Sequence, residues 1–151
     1  IIDHHESFKR WLNELKSINK EEWLQPMETG KWSIAANVSH IIKWDQYSLQ
    51  EILPYVVEGA ELTPFPDFKE FNGEAEEYAH RVVKQEDLVE EGIRTRNHII
   101  AYVKNLSEVE FLQSFKVGDQ HFTLEEFFED FIGHDKHHQE QIEEVVSLER
   151  T

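Results

Sequence analysis

Three of the chain's nine histidines fall in one short stretch, Gly133-His134-Asp135-Lys136-His137-His138-Gln139-Glu140-Gln141-Ile142. Neutral imidazole is a common protein ligand for zinc, nickel and iron. In an α-helix, residues four apart share a face about 6 Å along the axis, so His134 and His138 can aim two rings at one point. A helix that holds a metal does this. With nine histidines in 151 residues, however, a chance pair at this spacing is common. A core histidine bonded to a carboxylate gives the same pattern, so the pair alone leaves both readings open.

The apolar residues around the pair indicate which way it faces. Leu124, Phe128, Phe131, Ile142 and Val145 follow an alternating four-and-three spacing that also passes through Asp135 and His138, with Phe127 and His134 on its flank. The inward seam of this helix is therefore apolar at both ends and polar in its middle. Buried polar groups need partners, and a cation would satisfy imidazoles placed there. Thr123 with Glu126 is a capping-box signature that opens the helix, which is expected to run to about Leu148.

Composition narrows the function classes. The 151 residues suffice for a single domain, 1–151, that folds without staples. Cysteine is absent, which excludes disulfides, thiolate metal sites and a catalytic cysteine of this chain's own. Any thiol in its chemistry must come from a ligand. The 31 acidic against 15 basic residues give a formal net charge of −16, which repels phosphate backbones and anionic membranes. No apolar run approaches the roughly 20 residues that cross a bilayer, and Ile1-Ile2-Asp3-His4-His5 does not read as a secretory leader. A cytoplasmic protein with no nucleic-acid or membrane partner is expected.

Phe8, Trp11, Leu12, Leu15 and Ile18 mark a first amphipathic helix between Asp3 and Lys20, with His4 and His5 read as solvated residues at its frayed start. Asn19 to Lys31 lacks helical periodicity and reads as a connection. Ser33 is a good N-cap for a second helix through Ile34, Val38, Ile41, Leu49 and Ile52 to about Leu53, stopped by Pro54. His40 lies on its buried side, one turn before Trp44 and Asp45. A lone histidine there is ordinarily a satisfied core residue, but partners on another helix would change that. Tyr55 to Asn72 reads as a long irregular crossover tethered by Phe65, Phe68 and Phe71.

Glu74 to Arg81 reads as a short acidic helix, and Leu88, Thr95, Ile99, Tyr102, Val103 and Leu106 mark a third long helix from about Gln85 to Asn105. His80 and His98 read as surface or hydrogen-bonded structural residues, and Arg94 and Arg96 as a solvated face. Gly118-Asp119 between two apolar-alternating runs suggests a short hairpin. The expected fold class is therefore all-α: a four-helix bundle with a long crossover between the second and third long helices.

Gly30-Lys31-Trp32-Ser33 opening a helix, His40 and Trp44-Asp45 within it, Phe71-Asn72 before the third long helix, and His134-Asp135-x-His137-His138-x-x-Gln141-Ile142 on the last resemble the DinB/YfiT-like superfamily of four-helix bundles. The resemblance covers nearly the whole chain. It implies a divalent metal (zinc, nickel or iron) held by His40, His134 and His138, and a homodimer acting on a small-molecule substrate. Some members transfer low-molecular-weight thiols such as bacillithiol or mycothiol to electrophiles. Three protein ligands leave a coordination position open, which suits catalysis.

Groups that fix the imidazole tautomers are then expected nearby. Asp45, Asp135 and Gln141 are candidates, Trp44 is a candidate for the pocket wall, and His137 is a candidate acid or base if it turns inward. The leading expectation is a metal-dependent thiol S-transferase. A metal-dependent hydrolase is the alternative within that class, and a non-enzymatic metal- or ligand-binding stress protein is the alternative outside it. A di-iron carboxylate centre needs Glu-x-x-His on two helices, and only Glu77-x-x-His80 offers it.

Overall fold

The computed structural model describes residues 1–146. Four helices form the bundle: α1 (Ile2–Glu14), α3 (Ile34–Tyr47), α5 (Gln85–Lys104) and α7 (Leu124–Glu143). Short helices α2 (Lys20–Leu24), α4 (Phe68–Glu77) and α6 (Glu108–Phe111) lie in the connections. None of the described helices is long and apolar enough to cross a membrane.

α3 is the central rod. Every residue from Ser33 to Ile42 is buried, and the polar ones among them, Ser33, Asn37, Ser39 and His40, each have hydrogen-bond partners. The Ser33 side chain accepts from the Ala36 amide, the expected N-cap. The regular helix ends at Tyr47. Ser48–Ile52 then widens into a π turn and Leu53–Tyr55 tightens into a 3₁₀ turn at Pro54, so the expected α-helix stops one and a half turns early.

Two apolar clusters form the core. One joins Phe8, Leu12, Leu15, Trp23, Ile41, Ile42, Leu88 and Ile142. The other joins Ile52, Leu53, Ile99, Val103, Phe115, Leu124, Phe127 and Phe128. α1 and α5 pack closely because Gly92 leaves room: a Cβ there would lie 2.8 Å from Ile42 Cδ1 and 3.1 Å from Leu12 Cδ1.

The connections hold more order than their sequence predicts. Asn19 caps the short α2, which buries Trp23. The crossover contributes β1 (Ala60–Leu62), which pairs in parallel with β2 (Ser114–Val117); β2 pairs antiparallel with β3 (Gln120–Thr123), giving the order β1-β2-β3. The β2–β3 hairpin turns at Gly118, whose φ of +60° favours glycine. The rest of the crossover runs into α4, and Phe65, Phe68 and Phe71 set their rings 6.0, 5.4 and 4.1 Å from that of Trp44. The capping box at Thr123 and Glu126 opens α7 as expected. The helix ends at Glu143 in a turn at Glu144 and Val145, short of the expected end near Leu148, a residue outside the described range.

Candidate metal centre

α3 and α7 bring His40, His134 and His138 together. The His134 Nε2 lies 3.0 Å from His40 Nε2 and 3.1 Å from His138 Nε2. His40 and His138 are buried and His134 is partly open. Burial lowers all three pKa values, to about 4 for His40 and about 3 for His138, with the neighbouring imidazoles adding to the shift. The rings are therefore neutral at physiological pH, the form that donates a lone pair.

Two asparagines decide where those lone pairs point. Asn72 Oδ1 accepts from Trp44 Nε1 at 2.9 Å. An indole N–H can only donate, so the amide is oriented and the His40 Nδ1 at 2.8 Å from the same oxygen must carry the proton. Asn37 is oriented by its Nδ2, which donates to the Ser33 carbonyl at 3.1 Å, leaving Oδ1 to accept from His138 Nδ1 at 2.8 Å. Both Nε2 atoms are thus unprotonated and aim at a third nitrogen, which can offer one hydrogen at most. One contact would then set two lone pairs against each other, and a cation resolves the conflict. Tetrahedral zinc with Zn–N bonds near 2.0–2.1 Å separates its ligand nitrogens by about 3.3 Å, close to the spacing here. The donor set fits a divalent metal of the zinc, nickel or iron type.

The DinB superfamily model matches residues 4–142. The chain belongs to the DinB superfamily. Its fold is similar to that of YfiT from Bacillus subtilis, described as a probable metal-dependent hydrolase with an unusual four-helix bundle topology. The two share 18% identity at a TM-score of 0.79, over 95% of this chain and 82% of the other. Comparison with the curated proteins gives no match.

Two cavities flank the cluster in this DinB protein. One, of about 450 Å³, is walled by Trp44, Phe65, Phe68, Phe122, Phe127 and Phe131 and reaches His40 and His134. The other, of about 660 Å³, is of mixed polarity; Glu28, Lys31, Trp32, Gln141, Glu144 and Val145 line it, and it reaches His138. Gln141 therefore borders the cluster, and among the described residues it makes no hydrogen bond to an imidazole. Trp44 is both a chamber wall and the donor that orients Asn72.

Asp45 and Asp135 do something other than hold the imidazoles. Both bind Arg96, which is fully enclosed at 1% exposure and so is no part of a solvated face. Arg96 Nη1 and Nη2 donate to Asp135 at 2.6 and 2.8 Å, and Nε donates to Asp45 Oδ2 at 2.8 Å. Asp135 also accepts from His4 at 2.8 Å, and Arg96 Nη1 lies 3.0 Å from Nδ1 of the buried His5. The reading of His4 and His5 as solvated fails because α1 packs its first turn onto α5 and α7 at this cluster. His4, His5 and Asp135 are spaced for a second metal, but the Arg96 guanidinium already stands among them.

The two carboxylates titrate in opposite directions. Burial pushes Asp45 up to about 7 against the pull of Arg96. Burial also opposes ionisation of Asp135, but its two bonds from Arg96 outweigh this and hold it below the usual carboxylate range. His137 is exposed, with its ring 5.4 Å from that of His138, and it lines neither cavity. It has no place as an inward acid or base. His80 is structural, its Nε2 2.7 Å from Ser33 Oγ, and His98 and Arg94 are exposed. Sequence reasoning did not assign Asn37 a role, and gave Asn72 none beyond the family pattern. Asn37 lies one turn before His40 on the same helix face, which is the signal that could have found it.

Proposed function

We propose that this DinB protein is a divalent-metal-dependent enzyme that transfers a low-molecular-weight thiol to a small electrophile, with His40, His134 and His138 as the metal ligands. The observation that carries this reading is the convergence of two amide-fixed Nε2 lone pairs on a third imidazole nitrogen, with a cavity on either side. A bound divalent metal supplies Lewis acidity, which favours a thiolate over a thiol at neutral pH. In the transfer, the thiol sulfur forms a bond to the electrophilic carbon, the leaving group departs with its electron pair, and the thiol proton passes to solvent.

The remaining work falls to side chains of this chain. Asn37 and Asn72 hold two imidazoles in the donating tautomer. The groove at His138 offers both charge signs, through Lys31 on one side and Glu28 and Glu144 on the other, to a low-molecular-weight thiol that carries both amine and carboxylate groups. The aromatic chamber at His40 and His134 excludes water around an organic electrophile. Two chambers of unlike polarity favour a two-substrate transfer over hydrolysis. Hydrolysis, the activity suggested for YfiT, is the second reading.

The test begins with elemental analysis of the purified protein and of His40→Ala and His138→Ala. About one divalent ion per chain is expected in the parent and little in either variant; undiminished metal in both would remove the triad. Zinc-, nickel- and iron-loaded protein is then given several low-molecular-weight thiols with monochlorobimane, alongside a panel of simple esters and amides. Thiol-dependent chloride displacement supports the transferase, and turnover of the esters or amides alone supports the hydrolase. No rate above background in any arm leaves a non-enzymatic binding protein.

A further inference from the structure

Asn72 carries a second polar atom, Nδ2, that plays no part in fixing the imidazoles. Its Oδ1 accepts from Trp44 Nε1 and His40 Nδ1, and those two donors settle which end of the amide is which. Nδ2 is left with two hydrogens to donate. Among the described residues nothing accepts from them, and Nδ2 is not one of the enclosed polar atoms that lack a partner. It is therefore open, and the open space that Asn72 borders is the aromatic chamber. The walls there are rings. Phe127 and Phe131 stack at 4.8 Å, and Trp44 meets Phe65 and Phe68 nearly edge to face, at 78° and 75°. An occupant that displaces water from such a chamber must bring an acceptor oxygen or leave the amide unsatisfied.

Charge at this end of the chamber favours the same occupant. The divalent ion proposed on His40 and His134 is positive, and its charge outweighs the exposed carboxylate of Asp130 in the same lining. The negative end of a carbonyl dipole is favoured there. Asn72 bonds Nδ1 of the imidazole whose Nε2 faces the cluster, so the amide stands about one ring's width from the metal position. It reaches a group beside the reacting atom, not the atom at the metal. We propose that the chamber takes an aromatic carbonyl compound, and that Asn72 Nδ2 is the donor that holds its oxygen. The aromatic body fills the ring-lined space while the oxygen lies by Asn72, which sets the reacting end of the molecule against the histidine cluster. This rests on reading the chamber as the substrate side of the metal site.

The experiment compares acetophenone with α-methylstyrene, in which a methylene group replaces the carbonyl oxygen at nearly the same shape. The side-chain N–H signals of Asn72 are followed in proton–nitrogen correlation spectra of the full chain, zinc-loaded and again after chelation. Acetophenone should move them downfield in both states, and α-methylstyrene should not. Affinities are read alongside by ligand-observed NMR for the parent and for Asn72→Asp, which keeps the acceptor for Trp44 and His40 but has no N–H to give. In that variant the ratio of acetophenone affinity to α-methylstyrene affinity should fall about fivefold, the size of one neutral hydrogen bond. The parent's spectra decide the matter even where the variant does not fold. Signals that stay still with acetophenone in either state, signals that follow both probes alike, a ratio that Asn72→Asp leaves intact, or no binding of either probe would each overturn the proposal. The chelated arm needs no metal, so this result stands or falls separately from the metal content of His40→Ala and His138→Ala.

Discussion

Replacing Asn72 by leucine tests the tautomer argument most directly. Asn72 Oδ1 is the single acceptor for two buried donors, Trp44 Nε1 at 2.9 Å and His40 Nδ1 at 2.8 Å. Leucine leaves both without a partner. For the fold, this costs about 1–3 kcal/mol, softened because the residue borders a chamber that water can enter. For the metal the effect is more specific. Without the oxygen, His40 is free to place its proton on Nε2, and loss of such an outer hydrogen bond weakens metal binding about 10- to 100-fold. At fixed excess zinc, each tenfold loss shrinks the zinc-dependent gain in unfolding free energy by about 1.4 kcal/mol. The assay is zinc competition against a chromophoric chelator, paired with thermal melts in zinc and in chelator. Asn72→Asp keeps an acceptor at the same place and is expected to stay within a few-fold of the parent. If Asn72→Leu binds zinc as tightly as the parent, or Asn72→Asp loses as much as Asn72→Leu, the oxygen does not set the tautomer and the reasoning fails.

Asp45 makes a prediction about pH. Its folded pKa is raised to about 7 by burial, above the roughly 3.9 of an unfolded chain, so between those values the folded state holds the extra proton. This carboxyl's contribution to stability is therefore full at low pH and is lost as pH rises through about 7. By urea unfolding, Asp45→Asn should gain on the parent by up to a few kcal/mol between about pH 5 and pH 8. A difference that does not change with pH would refute this. Gly92→Ala puts a methyl group 2.8 Å from Ile42 Cδ1, in the closely packed crossing of α1, α3 and α5. Overpacking of about 1–3 kcal/mol should exceed the roughly 1 kcal/mol gained in helix propensity. Thermal melts should register a net loss, and a stabilised variant would show that the crossing has slack.

The four long helices, their caps at Ser33 and Thr123, and the β2–β3 hairpin were legible because each is written locally, in apolar periodicity or in a capping residue. Strand β1 was not. Its pairing with β2 joins residues more than fifty positions apart, and Ala60-Glu61-Leu62 is too short to show a period. The meeting of His40 with His134 and His138 was expected from family likeness. The partners of the polar side chains were misassigned, since sequence adjacency is a poor guide on a helix. Asp135 stands next to His134 in the chain, yet successive residues are turned by about 100°, and it faces α5 and α1 while His134 faces α3. His5 was read as solvated at a frayed helix start, and Arg96 as part of a solvated helix face. Arg96 is buried because Asp45 and Asp135 satisfy it, and His5 because α1 packs its first turn there with Nδ1 against Arg96 Nη1, which no single helix encodes.

That division of α7's polar stretch links the ion cluster to the metal centre. Leu124, Phe127, Phe128 and Ile142, buried towards the two ends of α7, set its rotation about its axis, and the polar middle of the seam is settled by specific partners. Asp135 has the most of them. Its two bonds from Arg96 and one from His4 are satisfied only when the carboxylate points between α5 and α1. At that setting the i, i+4 pair on the adjoining face necessarily points at His40 and Asn37. A buried guanidinium held by two carboxylates contributes little net stability over apolar packing of the same volume. What it supplies here is a fixed direction for the polar middle of α7, in agreement with its apolar ends, and a three-histidine metal site needs its ligands held by such rigid elements.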